Sequence, residues 1–197
     1  AIIKRAGLKK YKEVKNFKIL RGRGVEGNIG KKKIVIGNTF LIKEKQISLR
    51  GFEEKINLFE SEGKTTMIIA ENGKTLGIIA VADVIKDEAK KVINYLNWIG
   101  YKTAMITGDN ERTAKVIAKH SGIEEVVANV LPEDKVKKIK ELQNRGMVAF
   151  VGDGINDAPA LKQANVSIAM GTGTDIAIEA GDIVLVSGSL VGVAQAI

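Results

Sequence analysis

MVAFVGDGINDAPAL, residues 147–161, decides how this chain folds. Its opening apolar run reads as a short buried strand. Then Gly152-Asp153-Gly154-Ile155-Asn156-Asp157 sets two glycines, which let the backbone turn tightly, beside two carboxylates that converge within one loop. Oxygen ligands so placed suit Mg²⁺. The plainer reading is an acidic turn whose aspartates cap the following helix at Asp157.

Working outward from that loop, helix and strand alternate from Asp83 to the last residue. Ala89, Val92, Ile93, Leu96 and Ile99 make one helical face with Gly100 just past its end, and KTAMI comes next as a buried strand. A helix over Glu111–His120 stops at Gly122, before the strand EEVVA. Val136, Ile139 and Leu142 give a third helical face ahead of Gly146. VSIAM and DIVLV are two more strands, and the uncharged stretch from Ile183 to Ile197 reads as a buried strand and then a helix start. The alternation predicts a mostly parallel sheet with helices on its faces, with ligands beyond the carboxyl ends of the strands.

Residues after two other elements complete a constellation. After KTAMI, Thr107-Gly108-Asp109-Asn110 opens a helix, so a hydroxyl and free backbone N–H groups face the edge where an anion is favoured. The competing reading is a cap by Thr107 or Asp109 with no ligand. Leu131-Pro132-Glu133-Asp134-Lys135 opens the third helix, where Lys135 is a candidate for neutralising charge on a phosphoryl group, though a lysine there is usually just solvated. Hydroxyl, paired carboxylates and ammonium are together the parts that phosphoryl transfer needs around magnesium.

Residues 1–80 read as a smaller α+β unit. Lys18–Leu20, Val25–Ile29 and Lys33–Ile36 are short strands between glycine turns; Phe52, Ile56 and Phe59 recur at helical spacing before Gly63. TTMIIA and LGIIAVA flank Asn72-Gly73, a hairpin signal that favours positive φ.

TGDN at 107–110, Pro132-x-x-Lys135 and GDGINDAPAL at 152–161 match, in order, the signatures of the phosphorylation domain of P-type ATPases, and the chain resembles that haloacid-dehalogenase-like family across residues 81–197. VADVIKDEA resembles the family's hinge, with Asp83 in the hinge position as a supporting residue. Gly22-Arg23-Gly24 and Gly37-Asn38 make residues 1–80 similar to the nucleotide-binding domain of the heavy-metal branch. The resemblance implies a Rossmann-like phosphorylation domain (81–197) with a smaller nucleotide-binding domain (1–80). It implies ATP near Gly22, Gly24, Gly37 and Asn38; Thr107, Gly108, Asp109 and Lys135 on the transferred group; and Mg²⁺ at Asp153 and Asp157, with Asn156 ordering the loop. It also implies an aspartyl-phosphate, a transported metal ion (copper first) bound elsewhere, transmembrane and actuator parts of the same pump, and a place on the cytosolic face of a membrane.

The sequence departs from the family in lacking a DKTGT motif and an SEHP-like motif. AIIKRAG resembles the family's segment just after the SEHP-like motif. The aspartate-bearing strand lies mid-sheet in the superfamily, so its absence is expected to leave backbone groups unpaired on both neighbours. A soluble phosphatase of the same superfamily and a non-catalytic nucleotide-binding module are the alternatives.

Composition restricts the rest. There is no cysteine, so thiolate metal sites and disulfides are excluded from these 197 residues. No run approaches roughly 18 apolar residues, so the piece reads as soluble. The net charge of +8 comes with only 5% aromatics and with lysine clusters free of interleaved rings, which argues against nucleic-acid binding. His120 reads as a helix C-terminal or surface residue and Trp98 as a packing residue. Asp175 lies in a glycine-rich loop.

Overall fold

The computed structural model describes residues 12–82, 85–152, 157–171, 181–186 and 188–197, with Gly7 and Glu179. They fall into two compact units: Ala1–Phe59 with Thr66–Val81, and Glu60–Thr65 with Ala82–Ile197.

The first unit is a sheet in the order β1 (Lys15–Leu20), β2 (Gly24–Ile29), β3 (Lys32–Gly37), β4 (Thr65–Glu71), β5 (Lys74–Val81). β1 to β4 pair antiparallel in sequence. Asn72 (φ 48°) and Gly73 (φ 80°) both take the left-handed region, as a two-residue hairpin turn between β4 and β5 demands. Alternation along the strands puts Val35, Ile68 and Ala70 on one face. There they pack with Leu41 and Ile42 of helix α1 (Thr39–Glu44) and Ile56 of α2 (Glu53–Ser61), which form the core of the unit.

The second unit keeps to the alternating reading. Its elements in chain order are α3 (Asp87–Trp98), β6 (Ala104–Ile106), α4 (Glu111–Ser121), β7 (Glu125–Val127), a 3₁₀ turn (Pro132–Asp134), α5 (Lys135–Gln143), β8 (Ala149–Gly152), α6 (Ala158–Gln163), β9 (Val166–Met170), β10 (Ile183–Leu185) and α7 (Val191–Ala196). All strand pairs are parallel: β6 with β7, and β8 with β9 with β10. Among the described residues β6 pairs only with β7 and β8 only with β9, so each has one edge without a ladder. The helices bury most of the predicted α3 face (Ala89, Val92 and Leu96, but not Ile99, which is 39% exposed past the helix end) and the middle of the α5 face at Ile139, while α4 buries Ala114 and Ala118.

Two further expectations fail. Trp98 is not a packing residue; it is 81% exposed, because α3 turns its Ala89-Val92-Leu96 stripe inward and carries Trp98 on the opposite face beside Tyr95 (ring centroids 6.2 Å apart). The last strand is not buried either. β10 has β9 as its one partner among the described residues, and Val184 and Val186 lie open to solvent.

Candidate functional site

Two groups of side chains hold the residues singled out by sequence, one in each unit. In the first, Gly22, Gly24, Gly37 and Asn38 converge at one corner of the sheet. Gly24 is paired across the ladder with Gly37. A Cβ on Gly24 would lie 2.1 Å from the Ile36 carbonyl oxygen, and one on Gly37 would lie 2.4 Å from Leu41 Cδ2 and 2.6 Å from the Arg23 carbonyl oxygen. Gly22 (φ 67°) makes the β1–β2 turn. Asn38 fastens the corner: its Nδ2 donates to the Gly22 carbonyl (3.1 Å), while its Oδ1 accepts from the Leu41 N–H (3.0 Å) and caps α1. The glycines are therefore required by the protein's own close backbone approach, and the outcome is a corner with no side chain at either glycine. Arg23 flanks it, its guanidinium 4.7 Å above the Phe40 ring and 2.5 Å from Glu44.

In the second unit the Thr107-Gly108-Asp109 loop leaves β6 and is pinned on three sides by backbone bonds. Thr107 N–H donates to Val127 O (3.0 Å), Val130 N–H to Thr107 O (3.0 Å) and Asn129 N–H to Asp109 O (2.8 Å). The cap of α4 is neither Thr107 nor Asp109. Asn110 takes that role, accepting from Thr113 N–H at 3.0 Å and donating to the Thr113 hydroxyl at 3.0 Å. The Thr107 hydroxyl donates to an Asp109 carboxylate oxygen (3.1 Å), and the Thr65 hydroxyl donates to the other (2.8 Å). Thr113, fully buried, donates onward to the Lys64 carbonyl at 2.9 Å.

Lys135 and Asp157 meet as a short ion pair, Nζ to Oδ1 2.5 Å, with side chains only 17% and 12% exposed. Asp157 stands at the N-terminus of α6 without a side-chain capping bond. The turn-and-cap reading thus fails for it: the carboxylate is committed to the ammonium arriving at the head of α5. Gly152 leaves room for this, since a Cβ there would press on Asp157 Cβ at 2.9 Å. Asp153, Asn156, Asp83 and Asp175 lie outside the described residues. His120 is exposed in the last turn of α4, as expected.

Sequence reading missed Asn110 and Thr65. The Asn-x-x-Thr spacing of residues 110–113 was the available signal for the first, a side-chain pair reaching across one helical turn. No local pattern marks Thr65, whose partner is 44 residues away.

Taken together, the second group offers a hydroxyl, backbone N–H groups at the head of an 11-residue helix, and a shielded ammonium–carboxylate pair. Groups of these kinds can hold a phosphoryl group and the charge that develops on it.

Comparison with known proteins agrees in kind. A family model described as haloacid dehalogenase-like hydrolase matches residues 1–165, and a second of the same description matches residues 134–197. The chain is 49% identical over 185 residues (93% of its length) to a copper-exporting P-type ATPase of Staphylococcus haemolyticus, and 47% identical over 187 residues (94%) to one of Staphylococcus aureus. It covers 23% of each, so it spans about a quarter of the length of these curated relatives. Among solved structures it resembles the catalytic domain of a CPx-ATPase, with a TM-score of 0.72, 32% identity, and coverage of 99% of this chain and 69% of that one. It also resembles a zinc-transporting PIB-type ATPase in its E2.Pi state, with a TM-score of 0.61, 37% identity, and coverage of 97% and 31%.

Proposed function

The chain belongs to the haloacid dehalogenase-like hydrolase family, in its P-type ATPase branch, and on that premise we propose that it is the ATP-handling part of a heavy-metal-transporting pump with copper as the ion. The observation that carries the reading is the shielded Lys135–Asp157 pair in the unit whose parallel strands lead into Thr107-Gly108 and Gly152.

The first unit would be the nucleotide-binding domain. The corner at Gly22, Gly24, Gly37 and Asn38, where the sheet's own close approach requires glycine, would present bare backbone to a flat adenosine. The second unit would be the phosphorylation domain. Its Thr107 hydroxyl, now donating to Asp109, needs only a rotation about Cα–Cβ to donate to a phosphoryl oxygen. Gly108 contributes a backbone N–H, and Lys135 carries the positive charge that an equatorial oxygen gains from most.

Magnesium fits the donor chemistry here. Asp153 would supply one carboxylate oxygen and Asp157, whose Oδ1 is held by Lys135, the oxygen that this bond leaves over. A bound ion would neutralise charge on the phosphates. The nucleophile would be an aspartate on a strand not included in these 197 residues, pairing with the unladdered edges of β6 and β8 and joining the two parallel groups into one sheet. Transmembrane and actuator parts of the same pump would complete the partners, with the metal ion bound there and this chain on the cytosolic side.

Nuclear magnetic resonance of the labelled chain tests the reading. ATP added with Mg²⁺ is expected to move the amide signals of residues 20–40 in a saturable way. Signals there that stay fixed at saturating ATP, while a small phosphate ester moves residues 107–109, would instead favour a phosphatase of the same family.

A further inference from the structure

We propose that the second unit seats one edge on an anionic bilayer surface, through Tyr95, Trp98, Tyr101 and Met147 with Lys91 and Lys102 around them. The inference rests on the reading that the rest of the polypeptide is membrane-bound.

In a parallel sheet every loop that enters a strand lies at one edge, and every loop that leaves lies at the other. Thr107-Gly108-Asp109 and Gly152 leave their strands. The segments that enter β6 and β8 carry something different. Trp98 is 81% exposed and Met147 84%, with Tyr95 and Tyr101, on either side of Trp98 in sequence, about half exposed. Hydrogen bonds tie these entering segments together. Glu125 N–H, opening β7, donates to Thr103 O at 3.1 Å just ahead of β6, and its carboxylate meets Arg145, two residues before Met147, at 2.8 Å. The exposed rings and the methionine therefore belong to one edge, remote along the strands from the phosphoryl loops.

Composition chooses the occupant. Tryptophan and tyrosine, apolar bodies with polar tips, are the side chains that concentrate at membrane–water interfaces. Lysines can lay their stems along an apolar surface while keeping the ammonium in water. Lys91 is four residues before Tyr95 and seven before Trp98 on α3, hence on the same helical face, and Lys102 is next to Tyr101. Tyrosine, tryptophan and methionine are enriched in protein–protein interfaces too, but lysine is depleted there and common beside membrane-surface aromatics, so Lys91 and Lys102 are what favour the lipid. Charge is complementary to anionic lipid as well. Most of the acids at this edge are engaged: Glu125 pairs with Arg145, Glu141 in the last turn of α5 with Lys138, and Asp182, which enters β10, accepts from Ser167, which leaves Glu124, among the described residues, against the lysines. Seating this edge also leaves the loops at the other ends of the strands open to ATP.

The experiment reads Trp98 directly, because it is the only tryptophan in the sequence. Vesicles of phosphatidylcholine and phosphatidylglycerol in equal parts are titrated into the chain. Emission is expected to shift to the blue and to be quenched when the lipids carry brominated chains. Partition of Lys102→Gln is expected to be about fivefold weaker, the worth of one basic residue near such a surface. Emission identical to that in buffer at every lipid concentration overturns the proposal. So does equal binding to phosphatidylcholine alone, or a blue shift that grows with protein concentration without lipid, which would mean that a second copy covers the edge. The ATP titration of residues 20–40 is run on the same sample. Vesicle binding lost with ATP shifts intact removes this inference alone, and ATP shifts lost with vesicle binding intact remove the functional reading alone.

Discussion

Replacing Lys135 with methionine should cost this chain stability in a way that replacing Asp157 as well largely restores. The two side chains are 17% and 12% exposed and 2.5 Å apart. Breaking a fully buried pair costs about 3–5 kcal/mol, because one charge is left desolvated and alone; an exposed pair is worth about 0–1 kcal/mol. The shielding seen here puts the loss toward the buried end, at roughly 2–3 kcal/mol. Against it, an ammonium in the first turn of α5 opposes the helix dipole, and its removal returns about 0.3–1 kcal/mol. The net loss for Lys135→Met is then roughly 1–2.7 kcal/mol. Asp157→Asn should lose a similar amount, since it strands the lysine. In Lys135→Met/Asp157→Leu both charges go and apolar atoms fill the space, so most of the loss should return. Urea unfolding of the parent, both single variants and this double variant measures the outcome, with stability read from midpoints at unchanged m. A Lys135→Met midpoint within about 0.5 kcal/mol of the parent, or losses that simply add, would refute the claim that the pair acts as one buried unit.

The geometry leads to three further outcomes. Gly24→Ala, whose Cβ would sit 2.1 Å from Ile36 O, should disrupt β2–β3 pairing and sharply lower the melting point of the first unit; Gly30→Ala, with nothing within 4 Å, should cost only the left-handed strain of about 1–2 kcal/mol. Asn110→Ala should cost about 1 kcal/mol by uncapping α4, and Asn110→Ser should recover most of it in the same melts. Asp182 is held below the usual carboxylate range by the Ser167 hydroxyl and backbone N–H, so its contribution is fully present above its unfolded value and is lost as pH falls through the lower folded one. Ser167→Ala should therefore be less stable than the parent at neutral pH, with the gap narrowing below about pH 4 in unfolding midpoints taken across pH.

Much of this architecture was legible in the sequence because the two periodicities alternate cleanly. The Ala89-Val92-Leu96 and Val136-Ile139-Leu142 stripes each gave a helix, and the short apolar runs between them gave strands. Asn72-Gly73 gave its hairpin because few other dipeptides accept positive φ twice. Trp98 was misjudged because size and apolarity favour burial on average, whereas which face a helix turns inward is settled by its whole stripe. The capping residue was misplaced by one to three positions because Thr107, Asp109 and Asn110 all have suitable side chains, and only the backbone at Asn110 (φ −66°, ψ 158°) decides among them. The Thr65–Asp109 bond and the commitment of Asp157 to Lys135 were beyond sequence reading, since each joins residues far apart in the chain. For Gly24 and Gly37 the sequence reading looked to a nucleotide, and the structure supplies a reason internal to the sheet.

The most direct test of the account is acid-stable labelling by γ-labelled ATP with Mg²⁺, made on the full-length protein that contains this chain and on its Asp153→Ala variant. The account predicts label on the parent, resistant to acid and released by hydroxylamine as an acyl phosphate would be, and markedly weaker label on the variant. A full-length protein that binds ATP through residues 20–40 yet takes up no acid-stable label would contradict it.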